Sequence, residues 1–352
     1  MRLDLFYELS SPPHLALTES QVYHQALDEI ELADRLGFGA VWLVEHHFMR
    51  GYSHSSRPEL FLAAASQRTR RIRLGLGVIP LPYHHPVHVA ERVASLDILS
   101  GGRLEVGIGR GFSPTEYSLF GADMAESRSL TEESLAILRA SFRRQPISHR
   151  GRHYQFEQLD LIPHPLQSPP PVWTAAVSPQ SFDWAAEQGL GVLAGPFKPW
   201  FMVKHDLARY RAGWQHAEPL RAGMTLGILC LPDGARAKAL ARPALDWFYG
   251  ELFRTTLPVL EKLYPSYEHF RELGRFRSLL KLGVKMNMLE ALGMAVVGSP
   301  SECLEKLAEY RESGLTHLLL AVGAGALPTE IVRESLQCLA EDVMPKLGPP
   351  AP

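Results

Sequence analysis

Apolar runs too short to be helices recur along this chain, and most are followed by a stretch whose apolar residues fall at helical spacing. That rhythm constrains the fold more than any other feature, because parallel strands need a long crossover between them, usually a helix. The runs are Arg2 to Leu9, Ala40 to Val44, Ile72 to Ile79, Leu104 to Ile108, Val172 to Ala176, Gly191 to Leu193, Met224 to Leu231 and Thr316 to Val322. From Thr18, residues Val22, Ala26, Ile30 and Ala33 share one helical face that Gly37 ends. Pro58 opens the next helix, Pro86 a third that closes at Ser100-Gly101-Gly102, and Ser127 a fourth to about Phe142. Pro179 to Glu187, Phe201 to Trp214, a capping box at Ser299-Pro300-Ser301-Glu302 and Pro328 to Met344 supply the rest. A strand count near eight predicts an α/β chain folded as one (β/α)8 TIM barrel over residues 1–352, with an open doubly wound sheet as the alternative.

The rhythm fails from Asp246 to Leu292, a long aromatic stretch with Arg271, Arg275, Arg277, Lys281 and Lys285. At about 246–292, before the last strand, it reads as an inserted lid over the barrel mouth rather than a second domain. Pro146 to Pro171 reads as a connector with short accessory strands around Tyr154, Phe156 and Leu161. With 46% hydrophobic and 21% charged residues the chain can bury a large core, and a net charge of -2 points away from nucleic acid and anionic membranes, toward small molecules. Cys230, Cys303 and Cys338 form no close pair and no CxxC, which argues against a disulfide framework and a zinc site. Met1-Arg2 leads straight into the first strand with no apolar leader, so a cytoplasmic location is expected.

Three polar elements fall at strand ends. Ala40 to Val44 stops at Glu45-His46-His47-Phe48, and in an α/β barrel the C-terminal strand ends face the cavity where active sites are built. Those histidines read as a polar strand end, as metal ligands or as acid-base groups. Neighbours on extended chain point to opposite faces, which disfavours a shared ion, whereas an imidazole with pKa near 6.5 suits proton transfer. Gly107-Ile108-Gly109-Arg110-Gly111-Phe112 ends the fourth strand. It reads as a tight barrel turn, or as a close backbone approach beside a guanidinium suited to phosphate. Val177-Ser178-Pro179-Gln180-Ser181 ends the fifth; its serine cap and proline explain a helix start, and that N-terminus also accepts anions. Together they read as a phosphate cradle facing a histidine across one mouth.

The stretches Gly37 to Phe48, Leu81-Pro82-Tyr83-His84-His85-Pro86, Leu99 to Arg103, Gly121 to Met124 with Ser127-Arg128, Trp184 to Glu187 and Asp342 to Pro345 resemble the bacterial luciferase family of flavin-dependent monooxygenases. The chain most resembles the family's catalytic (alpha) subunit. The resemblance implies a barrel that takes reduced FMN from a separate flavin reductase, reacts it with O2 to a 4a-hydroperoxide, and oxygenates a small apolar organic substrate such as an aldehyde, a ketone or a biosynthetic intermediate. It places His46, with His47 beside it, in the catalytic role, and the phosphate on Arg110, Ser178, Arg128 and Ser181. It further implies that Phe112, Ala175 and Val78 line the isoalloxazine, with Val177 next to them and a non-proline cis peptide at Gly77-Val78. Trp42 and Phe48 are expected to shield the reacting oxygen from water. Gly109, Val177 and Pro196 stand where the luciferase subunit carries cysteine, glutamate and tryptophan, which reshapes the ring and substrate pockets. Family precedent also implies a homodimer through the helices at Pro58 to Thr69 and Pro86 to Leu99. The rival expectations are a deazaflavin-dependent dehydrogenase on the same barrel and a non-catalytic flavin-binding partner protein.

Overall fold

The computed structural model of the chain describes residues 1–263, 285–325 and 327–348. Eight parallel strands close a barrel. In spatial order they are β1 (Arg2–Tyr7), β2 (Ala40–Leu43), β3 (Arg73–Pro80), β4 (Leu104–Gly109), β7 (Val172–Ala175), β8 (Gly191–Ala194), β9 (Ala222–Cys230) and β11 (His317–Ala321), which pairs back to β1. Between β4 and β7 the chain makes a two-stranded antiparallel hairpin, β5 (Ile147–Arg150) and β6 (Gln155–Leu159), where accessory strands were anticipated.

Helices α1 (Glu19–Leu36), α2 (Pro58–Arg68), α3 (Pro86–Ser100), α4 (Pro114–Leu119), α5 (Ser127–Ser141), α6 (Pro179–Glu187) and α7 (Trp200–Gly213) fill the crossovers. Their ends follow local chemistry. Thr18 and Gln21 form a capping box on α1, and Gly37 and Gly101 end α1 and α3 at φ of 90° and 69°, a conformation that costs glycine nothing.

The region before the last strand departs from expectation. Helix α8 (Gly234–Leu263) begins well before Asp246 and carries Pro243 in its interior, where proline ordinarily interrupts a helix. After α9 (Met286–Ala291) comes an unanticipated strand, β10 (Ala295–Gly298), too short for its periodicity to show. It pairs with residues 227–230 of β9, beyond the 222–224 that pair with β8. Asp246 on α8 accepts the Met286 backbone N–H at 2.7 Å, which ties α9 back to α8. Residues 264–284, which hold Arg271, Arg275, Arg277 and Lys281 of the anticipated lid, lie outside the described residues. Helices α10 (Pro300–Glu312) and α11 (Thr329–Cys338) flank β11.

The barrel interior carries a polar layer among apolar side chains. Trp42 and Trp173 pack edge to face at 5.3 Å, and their indole N–H groups donate to Asp4 at 3.0 Å and Glu105 at 2.7 Å. Arg73 pairs with Glu105, and the Arg221 guanidinium lies 5.1 Å from the Trp173 ring. Gly75 is opposite Trp42 in register, and any side chain there would collide with the indole. This layer fills the barrel and leaves the C-terminal strand ends for chemistry. Among the described residues no helix is long and apolar enough to cross a membrane.

Candidate active site

The ends of β2, β3, β4 and β7 are successive neighbours, so the residues that follow them share one rim. On β2 the chain leaves the sheet at Glu45-His46-His47, and the two imidazoles part company. His46 packs edge to face on Phe112, ring centroids 5.4 Å apart, and Phe112 is two residues beyond Arg110. The histidine and the arginine segment therefore meet on the same side of the barrel. Burial pushes the His46 imidazole down to about 4, with the Glu45 carboxylate pulling the other way, so the ring is neutral at pH 7.

His47 belongs to a different network. Its Nε2 lies 3.1 Å from Glu45, its backbone N–H donates to Glu116 at 2.8 Å, and its ring packs on Phe120 at 4.8 Å. Burial alone would raise Glu45, but the hydrogen bonds from His47 and His84 outweigh it and hold the carboxyl at about 2. His47 thus braces the strand end and does not join His46 against Phe112. Phe48 is corrected too: it is 64% exposed, at φ 61°, while Trp42 is sealed in the barrel interior.

The expected ring-binding positions come together. The Gly77-Val78 peptide is cis, at the point where the β3–β4 register shifts between Leu76 and Ile79. A Cβ on Gly109 would lie 2.5 Å from Val78 Cγ2 and 3.7 Å from Ala175 Cβ. Three neighbouring strands thus present Val78, Gly109 and Ala175 side by side, with no side chain on the middle one.

Arg110 turns to α5, where its Nε and Nη2 donate to Ser127 Oγ at 3.2 and 2.7 Å, and its carbonyl accepts the Tyr117 hydroxyl. Arg128, one residue on, is exposed and pairs with Glu132 at 2.9 Å; the structure does not bring it to Arg110. At the head of α6, Ser178 Oγ accepts the Ser181 N–H at 3.3 Å, and Ser181 Oγ accepts from the Val177 and Ser178 N–H groups at 2.9 and 3.0 Å. Ser181 also donates to the Ser178 carbonyl at 2.6 Å, so its hydroxyl shapes the turn. Val177 enters through its backbone: its carbonyl accepts from Lys198 Nζ at 2.8 Å, and buried Lys198 pairs with Asp206.

The sequence pattern assigns no site role to Ser127, which it marks only as a helix start and part of a family stretch, nor to Lys198, Tyr52 or Glu8. Glu8 follows β1, and its Oε1 accepts the Tyr52 hydroxyl at 3.1 Å and lies 3.9 Å from His46 Nε2. A carboxylate closing an apolar strand, as Glu45 also does, was the available signal.

Comparison with known proteins decides the class of this rim. The family model described as luciferase-like monooxygenase matches residues 1–317. The chain belongs to the luciferase-like monooxygenase family. Limonene 1,2-monooxygenase of Rhodococcus erythropolis is 37% identical, over 96% of this chain and 86% of its own. The crystal structure of a monooxygenase from Streptomyces bottropensis, 27% identical, superposes with a TM-score of 0.83 over 99% of this chain and 100% of that one. The oxygenating constituent of 3,6-diketocamphane monooxygenase from Pseudomonas putida, solved in complex with FMN, is 20% identical with a TM-score of 0.80 over 99% of each chain, and shares the fold.

For a luciferase-like monooxygenase the residues present fit a flavin. The side-chain-free surface at Gly109 between Val78 and Ala175 accepts a flat ring, and Arg110 with the Ser178 cap offers a cationic fork and a helix N-terminus to an anionic tail.

Proposed function

We propose that this chain is the oxygenase of a two-component system, taking reduced FMN from a separate flavin reductase and, with O2, inserting one oxygen atom into a small apolar organic substrate. Bound reduced flavin supplies the electrons that activate O2. The chain's own residues bind, orient and move protons. Arg110 and Ser178 hold the phosphate, with Ser181 and the Val177 backbone fixing the turn, and Val78, Ala175 and Phe112 bound the ring.

The observation that carries the reading is the contact of neutral His46 with Phe112, two residues from the phosphate arginine. A neutral imidazole whose Nδ1 has no hydrogen-bond partner among the described residues is equipped to hold or move a proton at that atom. His47, tied to Glu45, keeps that strand end in place.

His46→Ala, assayed with FMN, a reductase and a panel of limonene-like olefins, aldehydes and ketones, should lose product formation while still binding flavin. Undiminished product would reject the role. Arg110→Ala should weaken FMN binding and spare turnover at saturation. Tighter binding of a reduced deazaflavin than of reduced FMN would favour a dehydrogenase instead.

A further element belongs to this reading: α2 and α3 form a homodimer face. Leu60 on α2 is 70% exposed and Leu99 on α3 is 53% exposed, apolar surface of the kind a partner subunit covers.

A further inference from the structure

Behind the rim, between β1, α1 and the turn after β11, lies a cavity of about 60 Å3, room for several waters. Two buried carboxyls line it. Glu29 on α1 accepts the Tyr7 hydroxyl at 2.9 Å and the Thr329 hydroxyl at 2.8 Å. Glu8 lies at the other side, where it also meets the Tyr52 hydroxyl and His46. The remaining lining passes through Ala26 and Gly323 to the half-buried Gln25 and Leu17 at the surface of α1 and the loop before it.

Two atoms on this line have no hydrogen-bond partner among the described residues, Glu8 Oε2 and His46 Nδ1. A buried carboxyl oxygen without a partner is costly, and Glu8 is itself one of the residues lining a cavity roomy enough for water. The 3.9 Å from Glu8 Oε1 to His46 Nε2 is one small side-chain rotation, or one bridging water, from a hydrogen bond.

We propose that Glu8 and this cavity form a proton path that connects His46 to solvent on the α1 side of the barrel, independent of the mouth. The inference rests on the reading of His46 as the group that moves a proton in the site. In the delivering direction the Glu8 O–H bond breaks as a proton binds His46 Nε2, the imidazole releases its Nδ1 proton into the site, and cavity water, refilled from solvent, returns a proton to Glu8. In the removing direction the same bonds form and break in reverse. No electrons move.

The electrostatics agree. Burial pushes the Glu8 carboxyl up to about 8 and the Glu29 carboxyl up to about 7, so both can carry a proton near neutrality. Facing Glu8 are Tyr52 and His46, with Ser53 Oγ and the His54 N–H on its carbonyl; Tyr7 and Thr329 face Glu29, with Arg333 and Asp28 nearby. Facing His46 are Glu45 and His47 from its own strand end and the Phe112 ring from β4.

The test begins on flavin-free protein with isotope-labelled histidine. The His46 ring nitrogens should show a titration step near pH 8 that reports Glu8, and isosteric Glu8→Gln should abolish it with the fold retained. Absence of the step in the native protein, or its survival in Glu8→Gln, overturns the proposal. In the FMN-loaded enzyme with its reductase, Glu8→Gln should slow turnover at least tenfold at neutral pH and displace the pH profile. Gly323→Ala, whose added Cβ meets only Val332 at 3.9 Å, narrows the cavity without touching either carboxyl and should raise the solvent isotope effect. An unchanged isotope effect in that variant would overturn the path. Undiminished product formation by His46→Ala, alongside an intact pH 8 step in the native protein, would instead sink the functional reading and leave the Glu8 coupling standing.

Discussion

Ser127→Ala tests the proposal that Arg110 holds a flavin phosphate at the rim. Ser127 opens α5, is buried, and gives Arg110 its acceptor through two contacts at 3.2 and 2.7 Å. The arginine keeps other interactions, so losing this one leaves it less oriented rather than loose. A hydrogen bond to a charged donor contributes roughly 1.5–3 kcal/mol, and with part of that recovered by relaxation about 1–2 kcal/mol of positioning is expected to go. At 1.4 kcal/mol per factor of ten, the Kd for FMN should rise about 5- to 30-fold. Alanine is also a better helix former than serine, so the melting temperature should hold. Anaerobic titration of reduced FMN into both proteins reads the change, with turnover at saturating flavin unchanged. A Kd within twofold of the native value, in a protein where Arg110→Ala does weaken binding, would show that Ser127 does not aim the guanidinium.

Gly109→Val sets a side chain against Val78 and Ala175 where the ring is placed, so FMN affinity should fall more than tenfold by calorimetry while Val177→Ala, which acts through its backbone, should change it little. Leu60→Glu tests the proposed homodimer: by light scattering the native chain should be a dimer and the variant a monomer, because burying one leucine stabilises an interface by about 1.5–3 kcal/mol and a buried unpaired carboxylate reverses that. Glu8 binds its proton more tightly folded, at about 8, than unfolded at 4.5, so its contribution is fully present below pH 4.5 and is lost as pH rises through 8; Glu8→Gln should therefore stabilise the protein at pH 9 and alter it little at pH 5, by thermal melts at both values.

How much of this was legible in the sequence depended on whether the cause was local. Helix ends were, because Thr18, Gln21, Gly37, Gly101, Ser178 and Ser299 act on backbone within a few residues, and every one caps where its type says it should. The barrel followed from counting strands. Strand β10 has no signature because four residues between glycines carry no period, and α8 runs through Pro243, where a helix is ordinarily interrupted. The long-range pairs had no local signature. Tyr52 finds Glu8 across 44 residues and Lys198 finds the Val177 carbonyl across 21, distances over which only the closed barrel sets geometry. Asp4 and Glu105 were visible as charges inside apolar strands, yet only the tryptophans opposite them explain why they are there.

The rim contains two glutamate-histidine pairs, and their difference carries the functional argument. Glu45 and His47 are 3.1 Å apart, His84 approaches the same carboxylate at 2.6 Å, and the site holds Glu45 ionised down to about pH 2. An imidazole bonded to a permanent carboxylate has its proton committed, and moving it would strand a buried charge. Glu8 and His46 stand 3.9 Å apart with no bond between them, and burial drives both toward their neutral forms, the acid up and the base down. A proton passed from Glu8 to His46 leaves both groups neutral only when the imidazole releases its Nδ1 proton and water returns one to Glu8 in the same passage, so this pair acts as a relay and not as an ion pair. Adjacent residues on one strand end thus receive opposite assignments, and the register of β2 decides which: the side chain turned toward Phe112 and β1 can exchange a proton, and the one turned toward Glu116 and Phe120 holds the strand end still.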